Sequence, residues 1–257
     1  MFRKILVILG FVVVCLLFSG YFYCAERYSA QQRALLRCNA IDVIVTNSHD
    51  RNFVSAAEVR EIVRPSVEGM LVNDINADAL EDYICSNSAI SHAEAYVRNP
   101  STLVLEVTQR NPVVRFQGPD GGFYCDLSGY VLPLAGGVTL DLPIVCGALP
   151  FKADTAKGGF PEDGRQWLAE LIGLTETIRN NSYWSREIEQ IWVEENGDVV
   201  LYTNSCNEKF IFGGLNNVNA KLSKMAGYYR TIRPQALQNG KKYTSVNLKY
   251  KDQIICK

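Results

Sequence analysis

The sequence has 257 residues, of which 47% are hydrophobic and 21% are charged, and its formal net charge is -1. This length allows one to three compact domains, and the apolar content is that of a folded protein with a hydrophobic core. The nearly neutral charge balance, with a pI of about 6.2, argues against general nucleic-acid binding, which requires a basic surface.

The N-terminus contains a long uncharged stretch, Ile5–Ala25. About 20 apolar residues are enough for a helix to cross a bilayer, so this stretch is predicted to be a transmembrane helix. Arg3 and Lys4 precede it and favour a cytoplasmic N-terminus. The alternative is a cleaved signal peptide, whose apolar region is shorter, about 7–15 residues. Both interpretations place residues 26–257 outside the cytoplasm.

Eight cysteines occur in the chain, and two of them, Cys15 and Cys24, belong to the uncharged stretch. In an exported region disulfides can persist, and no pair has the C-x-x-C spacing of a zinc or redox site. One or two disulfides and buried free thiols therefore remain equal alternatives. The six cysteines concerned are Cys38, Cys85, Cys125, Cys146, Cys206 and Cys256.

After a polar linker, the chain shows a strand followed by a helix. Residues 40–46 alternate apolar and polar side chains, which is typical of a half-buried strand. Ser55 with Glu58 three residues later forms a capping-box pattern that predicts the start of a helix. Pro65 is predicted to stop this helix.

A second helix and two strands complete this region. Asn76 is the expected N-cap of a helix in "DINADALEDYICSN". The strands "ISHAEAYVRN" and "TLVLEVTQR" follow, joined by a turn at Asn99-Pro100-Ser101. The predicted order is β-α-α-β-β.

The C-terminal region reads mainly as short strands with two helices. Asn196-Gly197 predicts a tight hairpin, and Trp167, Trp192 and Tyr202 are expected in the core. The helices are expected around Trp167–Ile178 and Val218–Ile232. Before them, the predicted strands are Val113–Gln117, Gly122–Leu127, Tyr130–Leu134 and Leu142–Cys146.

The passage "VTQRNPVVRFQGPDGGFYCDLSGY" resembles one found in the FtsQ/DivIB bacterial cell-division proteins, and the β-α-α-β-β unit before it resembles a POTRA domain. The residues that carry the resemblance are Gln109, Arg110, Pro112, Val113, Arg115, Gly122, Asp126 and Gly129. Gln109 stands where the family usually has an acidic residue. The resemblance implies an α+β protein with a mostly antiparallel β-domain that carries two helices. Its parts would be a cytoplasmic tail (1–4), a transmembrane helix (5–25), a linker (26–38), a POTRA domain (39–111) and an FtsQ-like β-domain (112–257).

The last residues, "YTSVNLKYKDQIICK", alternate like a strand, with Val246, Leu248 and Tyr250 expected to face the core. Resemblance to the family implies that this final strand receives a partner segment by β-augmentation. Lys251–Gln253 is expected to bend the strand, and Ile254 with Ile255 would then form a separate short strand. The predicted partner-binding residues are Ser245, Asn247, Lys249, Tyr250, Lys251, Gln253 and Ile255.

Lys249 and Lys251 have two alternative roles. Each could pair with acidic residues of a partner, or each could deter aggregation at an unpaired sheet edge.

No pattern in the sequence predicts catalysis. His49 lies in a polar loop and His92 on a predicted strand, and neither accompanies a nucleophile or a metal-ligand cluster. We therefore expect a non-enzymatic scaffold without a cofactor or a small-molecule substrate. The resemblance implies a single-pass inner-membrane protein at the division septum, with FtsB- and FtsL-like coiled-coil partners. The alternatives are an anchored envelope enzyme, a POTRA-bearing assembly factor and a purely structural envelope protein.

Overall fold

The chain divides into two compact units, with the first ending at Gln109 and the second beginning at Arg110. The predicted loop histidine, His49, lies outside the described residues, and so do Asn99 and Pro100 of the predicted turn. The structure, a computed structural model, describes residues 2–33, 35–47, 53–98, 101–118, 121–134 and 140–257.

The first unit begins with the helix α1 (Phe2–Arg33), which contains the stretch predicted to span the membrane. Within the described residues, no helix combines the length and the apolar character that a bilayer crossing requires. The elements that follow confirm the predicted β-α-α-β-β order. They are β1 (Ala40–Thr46), α2 (Ala56–Val67), the 3-10 turn Val72–Asp74, α3 (Ala77–Cys85), β2 (Ile90–Arg98) and β3 (Thr102–Gln109).

Helices α2 and α3 are capped at their starts as predicted. The Ser55 hydroxyl accepts a hydrogen bond from the Glu58 N–H at 3.1 Å, and the Glu58 carboxylate accepts one from the Ser55 N–H at 2.9 Å. At the start of α3, the Asn76 side chain accepts the Ala79 N–H at 3.1 Å. These bonds satisfy amide groups that the first turn of a helix leaves without a partner.

The predicted stop at Pro65 is wrong, because α2 continues to Val67. Proline has no N–H to donate to the carbonyl four residues earlier and its ring crowds that carbonyl, so Pro65 weakens the last turn of α2 without ending the helix there. Pro65 lies in the last turn, where the buried Val67 packs against the core.

The three strands of the first unit form a sheet in the order β1-β3-β2. β1 pairs with β3 in parallel and β2 pairs with β3 antiparallel, so β2 lies at an edge. Helices α2 and α3 pack their apolar side chains into a core with the sheet. Next to that edge, the Ala95 N–H of β2 donates to the Glu81 carboxylate of α3 at 2.8 Å.

The second unit contains nine strands and four α-helices within the described residues. The strands are β4 (Pro112–Gly118), β5 (Gly121–Asp126), β6 (Val131–Pro133), β7 (Ile144–Gly147), β8 (Ile188–Val193), β9 (Val199–Thr203), β10 (Lys209–Gly213), β11 (Ser245–Asn247) and β12 (Ile255–Cys256). The helices are α4 (Arg165–Arg179), α5 (Trp184–Glu187), α6 (Val218–Gly227) and α7 (Arg233–Gln238), with the π-helical turn Tyr228–Ile232 between the last two.

All nine strands join one sheet in the order β12-β11-β10-β9-β8-β7-β4-β5-β6. The pairs β4–β7, β7–β8 and β10–β11 are parallel, and the other five pairs are antiparallel. The sheet is therefore mixed, and antiparallel pairs form the majority, as the sequence predicted. Connections that contain helices join the parallel pairs β7–β8 and β10–β11, whereas strands β5 and β6 lie between β4 and β7 in the chain.

One hydrophobic core joins the sheet to helices α4 and α6. Trp167 packs against this core, as predicted. Trp192 and Tyr202, predicted to be core residues, are 41% and 37% exposed instead. In β8 it is Ile191 and Val193, on either side of Trp192, that face the core, so Trp192 must point to the opposite face of the sheet.

Three residues of the family-like passage, Arg110, Asp126 and Gly129, meet at the start of the second unit. Asp126 accepts hydrogen bonds from the Ser128 N–H at 2.9 Å and the Tyr130 N–H at 3.0 Å, which closes the turn around Gly129. The Arg110 guanidinium pairs with Asp126 at 2.9 Å and lies 3.5 Å from the centre of the Tyr130 ring. Arg110 and Asp126 therefore fix the turn that leads from β5 to β6.

All eight cysteines are free thiols. The structure thus favours the free-thiol alternative over disulfides.

Candidate partner-docking edge

The C-terminal segment forms two short antiparallel strands at one end of the large sheet. Strand β11 (Ser245–Asn247) lies between β10 and β12, so its backbone has a neighbour on both sides. The prediction of one continuous edge strand is therefore wrong. A turn at Lys251–Asp252 reverses the chain, within the bend that the sequence predicted. The separate short strand predicted around Ile254 and Ile255 exists as β12 (Ile255–Cys256).

Buried side chains hold the segment onto its own domain. Val246 and Leu248 are fully buried, as predicted, but Tyr250 is 49% exposed and the prediction that it faces the core is wrong. The Lys224 ammonium of α6 donates to the carbonyl oxygens of Leu248, at 3.4 Å, and of Tyr250. These bonds hold the backbone in a turn at the point where the alternating sequence predicts that the strand continues.

Lys249 is engaged within the chain. Its ammonium lies 2.6 Å from the Asp198 carboxylate in the β8–β9 turn, and the hydrogen bond that it donates to this carboxylate raises the pKa of Lys249. The Lys249 stem passes close over Gly213, where an added Cβ would lie 2.6 Å from the Lys249 Cγ. Lys251 is exposed. Of the two lysines, Lys251 is the one left for a partner or for protecting the edge.

The outer backbone edge of the sheet is carried by β12. Ser245 and Lys257 exchange two backbone hydrogen bonds, of 3.1 and 3.0 Å. Backbone groups of an antiparallel strand point alternately toward and away from the neighbouring strand. The N–H and C=O of Cys256 therefore point away from β11, toward the side where the sheet has no further described strand.

The structure distributes the predicted site residues over three environments. Ser245 and Asn247 lie in the interior strand β11, and Ile255 lies in the edge strand β12. The loop between the two strands carries the other four, Lys249, Tyr250, Lys251 and Gln253. The predicted partner-binding residues did not include Cys256, which lies in the edge strand β12. Its position two residues after Ile254, which continues the apolar alternation, was the signal that could have identified it.

Comparison with known proteins agrees with this architecture. Residues 111–257 match the family described as "FtsQ/DivIB, C-terminal related", a match that covers more than half of the chain. The protein belongs to the FtsQ/DivIB-related family. In this FtsQ/DivIB-related chain, residues 36–108 also match the POTRA-like domain, so the resemblance noted in the sequence is confirmed.

A curated relative of this FtsQ/DivIB-related protein is "Cell division protein FtsQ" of Geotalea daltonii (strain DSM 22248 / JCM 15807 / FRC-32). The two are 24% identical over 181 residues, which are 70% of this chain and 62% of the relative. The match therefore spans less than two thirds of that protein.

Proposed function

We propose that this protein is a non-enzymatic scaffold of the bacterial division machinery, and that its β12 edge docks an extended segment of a partner by β-augmentation. The observation that carries the proposal is the outward-facing backbone of Cys256 at the end of a nine-stranded sheet. An unpaired strand edge accepts a further strand through main-chain hydrogen bonds.

Packing behind the edge supports the proposal. Ile254 and Cys256 are partly buried against the core, and Val246 in the next strand is fully buried. The short strand is thus held in position before a partner arrives, which reduces the entropy that binding must overcome. Selectivity would come from side chains beside the edge, with Gln253, Ile255 and Lys251 as the predicted contacts.

Partners and location are part of the same proposal. Family membership supports divisome partners in general, and we propose FtsB- and FtsL-like coiled-coil proteins as those that supply the docking strand. The uncharged stretch Ile5–Ala25 would anchor the protein in the inner membrane, with both folded units on the outer side at the septum. Such a scaffold would connect early and late division proteins.

The test uses the direction in which backbone groups point. Cys256→Pro removes an outward N–H and leaves the inward N–H of Lys257, which bonds to Ser245, in place. We expect this variant to fold and to lose co-purification with the coiled-coil partner. Cys256→Ala keeps the N–H and is the matched control, which should bind like the native chain.

Unfolding curves of both variants separate loss of binding from loss of fold. If Cys256→Pro unfolds at the same denaturant concentration as Cys256→Ala and still retains the partner, pairing at this edge is refuted.

A further inference from the structure

A second concave surface lies on the second unit, where α5 meets the end of α6. It has a volume of about 360 Å³, and its walls are mainly apolar. The lining residues are Asn181, Tyr183, Trp184, Ala226, Tyr229 and Arg230. These elements belong neither to β12 nor to the loop before it, so the pocket is separate from the docking edge.

 The walls of this pocket are aromatic and fixed in position. The Tyr229 ring lies 6.4 Å from the Tyr183 ring and 6.2 Å from the Trp184 ring, measured between centroids. The Tyr229 hydroxyl contacts the Thr203 hydroxyl at 2.7 Å and donates to the Glu187 carboxylate at 3.0 Å. These bonds lock the ring before any ligand arrives, so little side-chain entropy would be lost on binding.

The rim of the pocket offers hydrogen-bond donors. The Asn181 side-chain oxygen already accepts the N–H groups of Tyr183 and Trp184, both at 3.0 Å, which leaves its amide N–H₂ group for other contacts. Arg230 is exposed, and among the described residues no carboxylate lies within ion-pairing distance of its guanidinium.

The neighbouring charges do not neutralise Arg230. Arg179 pairs with Glu176 and Arg233 pairs with Glu208. The Glu187 carboxylate already accepts the Tyr229 hydroxyl and the Ser205 N–H, both at 3.0 Å. A cationic donor rim above an aromatic floor is complementary to an apolar body that carries an acidic group.

We infer that this pocket binds a protein partner through an aromatic side chain flanked by acidic residues. The aromatic side chain would pack against Tyr183 and Tyr229 in the pocket, and a neighbouring carboxylate would meet Arg230. The arrangement is that of an interface anchor, in which a buried aromatic group supplies affinity and a charge at the rim selects the sequence.

Fluorine NMR of the full chain labelled with 5-fluorotryptophan tests the inference. The chain has three tryptophans, of which Trp184 lines the pocket while Trp167 and Trp192 serve as internal controls. The probes are the blocked tripeptides Glu-Phe-Glu, Lys-Phe-Lys and Glu-Ala-Glu. We expect Glu-Phe-Glu to shift the Trp184 resonance alone, and the other two peptides to leave it unchanged.

Two variants assign the contacts. Arg230→Gln should weaken Glu-Phe-Glu binding about fivefold, as expected for one partly exposed charge pair, while Arg64→Gln in the first unit makes the same charge change and should have no effect. Tyr183→Ala should weaken binding at least about tenfold, because it removes one wall, and the half-exposed Tyr183 can be replaced without opening the core.

Three results would overturn the inference. They are an unchanged Trp184 resonance at millimolar Glu-Phe-Glu, an equal response to Lys-Phe-Lys, and binding of benzoate as tight as that of the peptide. The last result would identify a site for small aromatic anions in place of a protein segment.

Discussion

The buried ion pair between Arg110 and Asp126 yields the sharpest stability prediction. We consider Asp126→Asn, which keeps the size of the side chain and removes its charge. The two side chains are only 15% and 11% exposed, so the remaining Arg110 charge would stay buried without its counter-ion. Removing one partner of a buried pair typically costs about 3–5 kcal/mol.

The lower end of that range applies here. The asparagine oxygen can still accept the N–H groups of Ser128 and Tyr130, so the turn itself survives. We therefore expect a loss of about 3 kcal/mol in the free energy of unfolding, as for the least costly buried pairs. For a unit of this size that corresponds to a fall in Tm of roughly 6–12 °C.

Tryptophan fluorescence during urea unfolding measures this loss in the second unit, because all three tryptophans lie there. The matched control is Glu176→Gln, which removes the same charge from the more exposed pair with Arg179. That control should lose less than about 1 kcal/mol. An Asp126→Asn loss no larger than that of the control would refute the assignment of Asp126 as a buried structural anchor.

Three further predictions concern a helix cap, a glycine and a thiol. Hydrogen bonds with the Ser55 backbone and side chain lower the pKa of Glu58 below its ordinary value of 4.5. The ionised Glu58 carboxylate therefore stabilises the folded chain above that pH, and this stabilisation is lost as the pH falls through the lowered pKa. The stability difference between the native chain and Glu58→Gln should therefore close as the pH falls below the ordinary value and through the lowered pKa of Glu58. A difference that persists in acid would contradict the cap. Gly147→Ala should cost at least about 2 kcal/mol in urea unfolding, because φ is +104° and the new Cβ would lie 2.1 Å from a backbone oxygen, whereas Gly214→Ala should be nearly neutral. Burial, followed by the adjacent carboxylate, raises the pKa of Cys125 to about 12, so mass spectrometry should find Cys125 unmodified by iodoacetamide at pH 8 until urea is added.

Local signals in the sequence were sufficient where neighbouring residues decide the structure. The capping pattern of Ser55 and Glu58 and the cap at Asn76 each mark a helix start to within a residue, since both ends of each bond lie in one turn. The Asn196-Gly197 turn likewise lies between β8 and β9, as predicted.

The errors occur where distant residues decide. Ile191, Trp192 and Val193 are all apolar, so alternation alone does not say which side of β8 is buried, and the helices that cover one face settle it. The C-terminal strand is interrupted although its alternation continues, because Lys224 and Asp198 hold the following loop from positions far away in the sequence. Contacts between residues so far apart in the sequence leave no local pattern. The residues predicted to form one docking strand therefore lie in a strand, a loop and an edge strand of the structure.

The contact between Glu81 and the edge strand β2 has a consequence for selectivity. A strand that adds to the first unit at Ala95 must first expel a carboxylate from a charge-assisted hydrogen bond. Breaking such a bond costs about 1.5–3 kcal/mol, which weakens any incoming strand roughly ten- to a hundredfold. Strand pairing through the backbone alone would therefore be weak at this edge. A segment would need side-chain contacts that compensate for the lost hydrogen bond in order to bind there. Among the described residues no such carboxylate bonds to β12, so a strand added there, as proposed, would not meet this cost.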